Sequence, residues 1–595
     1  MRSRTLTLLL CLLIVLEIIV IISAGPATGY EVSIYDAYPL YFWILQASSL
    51  TLGVFLLLRS ALCSYNSLYI HAGLTIAIFS NVVLLLLPFF RGYIYLGWND
   101  LPSQIGFISD IQLTGRIGIP FSNWENPYPA LHVLVLTSSY IIGLSVEDLM
   151  KLLPAFFFAF FIIFTYLLSK KISTSKSQIF LITAFGVLPL YAFIYSERIV
   201  HLVPRNVTFL LTPFIFYLYF ANKQAAGNKY QIPILLWLLM LPTWHPGNAF
   251  ILILTFLCLY VGHKFFINHD HNYDRSLLFC LILTFSWLAW FMNLNWFNIT
   301  IRSLALHFGE SEIEGIYRTI ERVKMPLTDS IILFIKMSAH LWLYFLMGIL
   351  LTIYLLWNSL KHKKINENAL LFALLFLFYS ALTFASLFFI PIGSVRALSY
   401  SVFTSTILSG LVIPILRRTR VKPQKNKTQC FKCILMMLLL LPSIVFSHLN
   451  MYTSPFIKSA NDQVTLADIT GFKLFLTHQT EQFLIEDTGL NQKTKIIAIT
   501  GLKSAPRNVR DWQTVQQSLP EHFGYNKHSN LGMWYEDDRY LIVDQMSKIH
   551  YEKAIPEYRE AWRWAPEDFL RLYGDCSVFR TYDNGGFWIY YIIHC

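Results

Sequence analysis

Apolar stretches long enough to cross a bilayer recur along this chain, and they limit its folds more than any other feature. Leu6–Ser23, interrupted only by Glu17, Leu40–Leu58, Leu74–Phe90, Leu152–Leu168, Ile331–Trp357 and the shorter Ile434–Phe446 are examples. A helix needs about 20 apolar residues to span the hydrocarbon core, and so many runs of that kind cannot be buried in a water-soluble fold. At 55% hydrophobic and 14% charged residues, the composition predicts a mainly α, polytopic membrane helix bundle. Only the residues after Leu449 depart from it. They carry 15 basic and 18 acidic residues against a whole-chain charge of +11. A basic membrane part with a mildly acidic tail excludes a nucleic-acid-binding surface, and the positive excess reads as topology information.

Sorting loops by lysine and arginine gives that topology. Arg2/Arg4, Arg59, Lys170/Lys171/Lys176, Lys223/Lys229, Lys264/Arg275, Lys361/Lys363/Lys364 and the cluster from Arg417 to Lys432 are the basic positions. Setting them all in the cytoplasm predicts 13 crossings at about 6–24, 39–58, 67–90, 150–169, 177–195, 206–221, 230–242, 247–263, 277–292, 331–357, 369–390, 397–416 and 431–448. The N-terminus is then cytoplasmic and the tail extracytoplasmic. The first run is long for a signal peptide and reads as an uncleaved helix, although Ser23-Ala24-Gly25 offers small residues. Residues 129–144 read as a helix lying on the outer surface. The expected organisation is a transmembrane domain over 1–450, with a long external loop at 91–147, and an external α/β domain over 451–595.

The first external loop carries a candidate acidic motif. Read at about 100° per residue, Leu101, Ile105, Ile108 and Ile111 form one apolar stripe, with Asp110 roughly opposite and Asp100 near its edge. This predicts an amphipathic helix on the membrane surface, with Pro102 in its first turn and Asn99 or Asp100 as its cap. On the residues alone, Asp100 is either a plain N-cap or a reactive acid, and Asp110 a solvated polar-face residue or a second acid. A second external segment, Tyr195–Arg205, offers Glu197, Arg198, His201 and Arg205. Charged groups at a helix mouth need partners, and they serve either as interfacial anchors or as ligand contacts. Arg396 opens a late helix, and His245 sits at a hairpin tip in Trp244-His245-Pro246-Gly247. A third loop, 293–328, is dense in charge (Arg302, His307, Glu310, Glu312, Glu314, Arg318, Glu321, Arg322) and reads as a solvated lid.

The order of these features resembles the GT-C superfamily of membrane glycosyltransferases: an early external acid, a short helix ending in Thr114-Gly115, and then Asn126-Pro-Tyr-Pro-Ala-Leu-His132. The resemblance covers about 65–450, and its relatives include protein mannosyltransferases, aminoarabinose transferases and oligosaccharyltransferases. It implies an inverting transferase that takes sugar from a polyprenyl-phosphate donor to an acceptor protein, lipid or glycan on the external face. Asp100 matches the acid that serves as base or orients the acceptor, and Asp110 is a second candidate. Glu197 matches a metal or acceptor contact. Arg198, His201, Arg205, His245 and Arg396 match groups for the substrate, with Arg396 on the lipid phosphate, where a planar always-charged fork suits phosphate. A divalent cation (Mg or Mn) held by Asp100 and Glu197 is the cofactor this resemblance allows. A histidine is expected four positions after the acid, and Gln104 stands there instead. The alternatives are a transporter or flippase of lipid-linked saccharides, which calls for charges at mid-depth and repeats, and a non-catalytic scaffold.

In the tail, Lys495–Thr500 and Tyr540–Asp544 read as buried strands and Pro556–Leu572 as a helix. Ser577–Arg580 and Phe587–Ile593 read as a hairpin turning at Asp583-Asn584-Gly585-Gly586. The turn centre sets Cys576 nearly opposite Cys595, so an external disulfide is expected there. Trp534, Tyr535, Tyr558, Trp562, Trp564 and Trp588 suit either sugar stacking or core packing. Cys430 and Cys433 form a lone CxxC without a second pair. Asn298-Ile-Thr300 is a short external glycosylation sequon.

Overall fold

The computed structural model describes residues 3–63, 66–97, 100–118, 125–188, 198–224, 229–267, 272–306, 314, 320–321, 324–361, 366–388, 393–418, 426–488, 492–510 and 519–595. Nine helices among the described residues are long and apolar enough to cross a membrane: Thr5–Ala24, Leu40–Leu62, Ser67–Phe90, Val146–Ile172, Pro246–Phe266, Leu327–Asn358, Glu367–Phe388, Ser394–Pro414 and Phe431–Leu449. The chain is a multi-pass membrane protein. Many large side chains on these helices face outward, as Leu12, Ile44, Phe156, Leu350 and Leu438 do, because lipid is as apolar as the core. Ser394–Pro414 is the most enclosed of the nine; it packs against Glu367–Phe388, Lys176–Gly186 and Leu327–Leu360.

Nine of the thirteen expected crossings correspond to such helices among the described residues; the one at 177–195 begins with the helix Lys176–Gly186, and its residues after 188 lie outside the described ones. The differences fall on short or broken segments. The expected crossing at 206–221 is two helices, Pro204–Leu210 and Thr212–Gln224. Pro213 removes a backbone donor at that junction and crowds the preceding turn. The one at 230–242 is the 14-residue helix Gln231–Trp244, and Arg275–Phe291 turns into Asn295–Arg302 through 103°. The Glu125 carboxylate accepts from the Asn295 amide (2.7 Å), at the first turn of the second limb of this bend.

The tail joins the bundle by extending its loops. Strand β1 (Tyr95–Leu96), just before Asp100, pairs antiparallel with β2 (Gln463–Val464). The remaining strands, β3 (Leu484–Asp487), β4 (Arg539–Asp544), β5 (Val578–Asp583) and β6 (Phe587–Ile592), form one sheet in the order β3-β4-β6-β5. Only β3–β4 is parallel. Successive side chains point to opposite faces of a sheet. Leu541, Val543, Trp588, Tyr590 and Ile592 therefore enter one apolar cluster, and Ile542, Phe587 and Ile589 enter another. Tyr535, Trp562, Trp564 and Trp588 are buried, so core packing accounts for them.

Three tail expectations are corrected. Lys495–Thr500 lies in a helix, Gln492–Thr500, not a strand. Four consecutive apolar residues, Ile496–Ile499, do not distinguish a buried helix from a buried strand by periodicity, and this segment is covered by the loop helix Asp100–Thr114 and by the tail core. Pro556–Leu572 contains one short turn, Arg559–Ala561, and a helix that begins only at Pro566. Cys576 and Cys595 are both free and exposed. Near the turn Tyr582 faces Ile589, but a bulge between Arg580 and Tyr582 shifts the register, so that Val578 faces Ile592. Continuing that ladder sets Cys576 opposite His594 instead of Cys595.

Candidate functional site

A cleft opens in the bundle, lined in part by Arg205, Asn206, Asn248, Arg396, Ser399 and Tyr400. Its cations come from first turns of helices. Arg205 follows Pro204 at the start of Pro204–Leu210, and Arg396 lies in the first turn of Ser394–Arg418. His245 caps Pro246–Gly262, and its Nδ1 accepts from the Asn248 amide at 3.0 Å. Both long helices turn their positive dipole ends toward this cleft, which favours an anion there. Gly247 permits the close approach: a Cβ there would stand 3.0 Å from Arg396 Nη1. Burial, with the charges of Arg396 and Arg205, holds the His245 pKa well below its usual value. The imidazole is therefore neutral, and the Asn248 bond leaves its proton on Nε2.

Asp100 begins the loop helix Asp100–Thr114 and faces this cationic set. Its Oδ2 lies 3.8 Å from Arg205 Nη2, with the Asp100 side chain 49% exposed. A long, half-exposed pair of this kind contributes little stability, so it can open without cost to the fold. Tyr128 stacks flat on His245, with ring centroids 5.2 Å apart. Its phenol lies within electrostatic reach of Arg396, Asp100 and Arg205. Of the residues singled out in the sequence, Asp100, Arg205, His245 and Arg396 are brought together.

Others are placed elsewhere. His201 Nε2 lies 2.8 Å from Asp462 Oδ2, both buried, and the Arg198 charge also acts on Asp462. Burial pushes the Asp462 carboxyl up, but the hydrogen bond and charge of His201 and the charge of Arg198 outweigh it, leaving the pKa below the usual carboxylate value. These groups fasten the second loop to the start of the tail. Asp110 is corrected from a solvated face to a buried one. It is 1% exposed and accepts from the amides of Leu502 and Lys503, each at 3.0 Å. The stripe Leu101, Ile105, Ile108 and Ile111 is buried as expected, yet the tail covers the opposite face. Gln104 is held by His132, Nε2 to Oε1 at 2.7 Å. Glu197 and most of the charged third loop lie outside the described residues.

Among the described residues no cluster of three or more His, Cys, Asp or Glu could hold a metal ion. The described cleft has one carboxylate, Asp100, facing two arginines, a set that favours an anion; Glu197, the other expected metal ligand, lies outside the described residues. Asp462, Asn248 and Tyr128 were not legible as site residues. Only Tyr128 had a sequence signal, its place in the Asn126–His132 motif.

No known protein family matches the sequence, and no curated protein does. Solved structures match in shape. The apo oligosaccharyltransferase of Archaeoglobus fulgidus aligns with a TM-score of 0.52 at 13% identity, over 89% of this chain and 75% of that one. The same enzyme in complex with Zn and sulfate gives 0.50 at 14% identity, over 82% and 70%. The fold is GT-C-like. The mycobacterial arabinofuranosyltransferase AftD also aligns, with a TM-score of 0.48 at 11% identity, over 88% of this chain and 40% of that one.

Proposed function

We propose that the protein is a glycosyltransferase that moves a sugar from a polyprenyl-phosphate donor to an acceptor at the external membrane face. On this reading the N-terminus is cytoplasmic and the tail extracytoplasmic. The observation that carries it is the meeting of Asp100 with Arg205, which lines a cleft together with Arg396, beside His245. A lipid-phosphate donor keeps its tail in the bilayer and its phosphate at the surface, which is where helix first turns supply cations. Arg396 and Arg205 bond the phosphate oxygens, and the neutral His245 offers one N–H from Nε2. As the leaving phosphate gains charge, these fixed donors stabilise it without reorganising. Asp100, released from Arg205 by the incoming phosphate, takes the acceptor proton on the opposite side of the sugar, which gives inversion. A positioned base contributes about 10²- to 10⁴-fold.

The test uses the full-length chain in nanodiscs with dolichyl-phosphate and undecaprenyl-phosphate mannose, glucose and arabinose, and total membrane extract of the source organism as acceptor. Release of the free lipid phosphate is followed. One donor is expected to turn over, and Asp100→Asn to lose about 10³-fold while still binding lipid phosphate. Wild-type turnover in that variant removes Asp100 from the mechanism. Unchanged binding of both lipid phosphates in Arg396→Ala and Arg205→Ala removes the phosphate site.

A further inference from the structure

Asp100 stands at the exposed end of a helix that packs on the bundle along one side and on tail residues almost 400 positions away along the other. The tail helix Gln492–Thr500 runs along the loop helix Asp100–Thr114. Gly106 lets them touch: a Cβ there would stand 2.6 Å from Ile497 Cγ2 and 2.8 Å from the Ile497 carbonyl oxygen. Ser109 Oγ reaches the Ala498 carbonyl at 3.2 Å. Beyond the tail helix the chain turns at Gly501, with φ +79°. That turn aims the amides of Leu502 and Lys503 at the two oxygens of Asp110. On the other side of Asp100, β1 is paired with β2, and the Gly97 amide bonds the Asp462 carbonyl. The loop helix is therefore held to the tail before and after Asp100.

The chemistry of the pin is specific. A carboxylate is the one side chain of this length with two acceptor oxygens and no donor. It accepts from two neighbouring backbone donors at once. Charge-assisted bonds of this kind are stronger than neutral ones. Rotation or sliding of the loop helix breaks both at once, so the pin fixes the direction in which Asp100 leaves the helix.

We infer that Asp110 is a positioning residue: it locks the loop helix onto the tail helix and so fixes Asp100 against the cationic cleft. This makes the tail the outer half of the active site. The inference rests on the reading of Asp100 given above. It predicts a loss of turnover without loss of lipid-phosphate binding, because Arg205, His245 and Arg396 belong to the bundle.

The experiment compares the full-length wild type, Asp110→Ala, Asp110→Asn and Gly106→Leu in nanodiscs. Undecaprenyl phosphate binding gives the number of competent sites and their affinity. Turnover per site is then measured with the donor that the wild type consumes, and backbone hydrogen exchange is followed over 101–111. Asp110→Ala is expected to keep site number and affinity, to lose about 10²-fold in turnover per site, as an ångström-scale misplacement does, and to exchange about tenfold faster over 101–111. Exchange in Ser394–Arg418 and in β4 and β6 stays unchanged. Asp110→Asn, which keeps one acceptor, falls between, and Gly106→Leu reproduces the loss by wedging the helices apart. Unchanged turnover per site, or a loss matched by lost binding sites, overturns the inference, as does unchanged exchange over 101–111. Full activity in Asp100→Asn overturns the underlying reading instead. An inactive Asp100→Asn beside fully active Asp110→Ala and Gly106→Leu overturns only the pin.

Discussion

The two walls of the cleft are built on different principles. Arg205, His245 and Arg396 each sit within a residue or two of a helix start, set by Pro204, Pro246 and Ser394. Their positions follow from local chain geometry and from spans packed into one bundle. Asp100 also starts a helix, but that helix is short, and tail residues from 462 to 503 hold it in place. The cationic wall is thus a property of the membrane half, and the acidic wall a property of its union with the tail. Binding and chemistry are separable in such an arrangement: an anion can be held while the base is misplaced.

The largest break of that comparison is Asp100→Asn, which removes chemistry and spares binding as described above. Next in size is a break in the tail itself. Lys495 Nζ and Asp544 Oδ2 form a buried pair at 2.6 Å, each side chain 1% exposed, and Gln492 Nε2 also donates to Asp544 (2.7 Å). Lys495→Ala leaves a buried carboxylate without its cation, and removing one partner of such a pair costs about 3–5 kcal/mol. Denaturant unfolding followed by tail tryptophan fluorescence should show the loss. Arg396→Ala in the other wall should weaken undecaprenyl phosphate binding about 10- to 100-fold, since a hydrogen bond to a charged group contributes about 1.5–3 kcal/mol. Lysine there should restore only part of it, because a point charge does not replace the fork.

A pH scan sharpens the tail side further. Burial, with the charge of Asp544 adding to it and Lys495 opposing it, pushes the Asp468 carboxyl up to about 6. The unfolded chain releases that proton near the ordinary value of about 4. Between these values the folded state binds more protons, so its stability falls as pH rises from about 4 to about 6. Thermal melts of the wild type should show this contribution, and Asp468→Asn should flatten that part of the profile. A profile of the same slope in the variant would assign it to other groups. The smallest expected effect is at the hairpin end. Cys576→Ser and Cys595→Ser should leave the melting temperature unchanged, and iodoacetamide should label both thiols of the wild type without reductant.

What was legible in the sequence follows a pattern. Long spans were legible because each carries its own apolar signal over twenty residues. The helix after Asp100 was legible because its stripe repeats at helical spacing, and the hairpin because Gly585 and Gly586 mark the turn. The short or broken segments carry a weaker signal, because Pro213 and the bend at residues 292–294 interrupt an otherwise apolar pattern. The face bearing Asp110 was misread because a charge opposite an apolar stripe normally faces water, and nothing local reports that the tail covers it. The tail helix was misread as a strand because four consecutive apolar residues suit either structure when they are covered on both sides.

The amino-acid sequence by itself determined that this is a membrane bundle with an appended tail, and it named Asp100, Arg205, His245 and Arg396. Hydropathy and helix-start signals are local, so they survive without a fold. Tertiary structure alone decided which charges meet. It brought those four together, set His201 and Arg198 with Asp462, and turned Asp110 from a candidate acid into the acceptor for the Leu502 and Lys503 amides. The role of a carboxylate depends on the donors that reach it, and here those donors lie almost 400 residues along the chain.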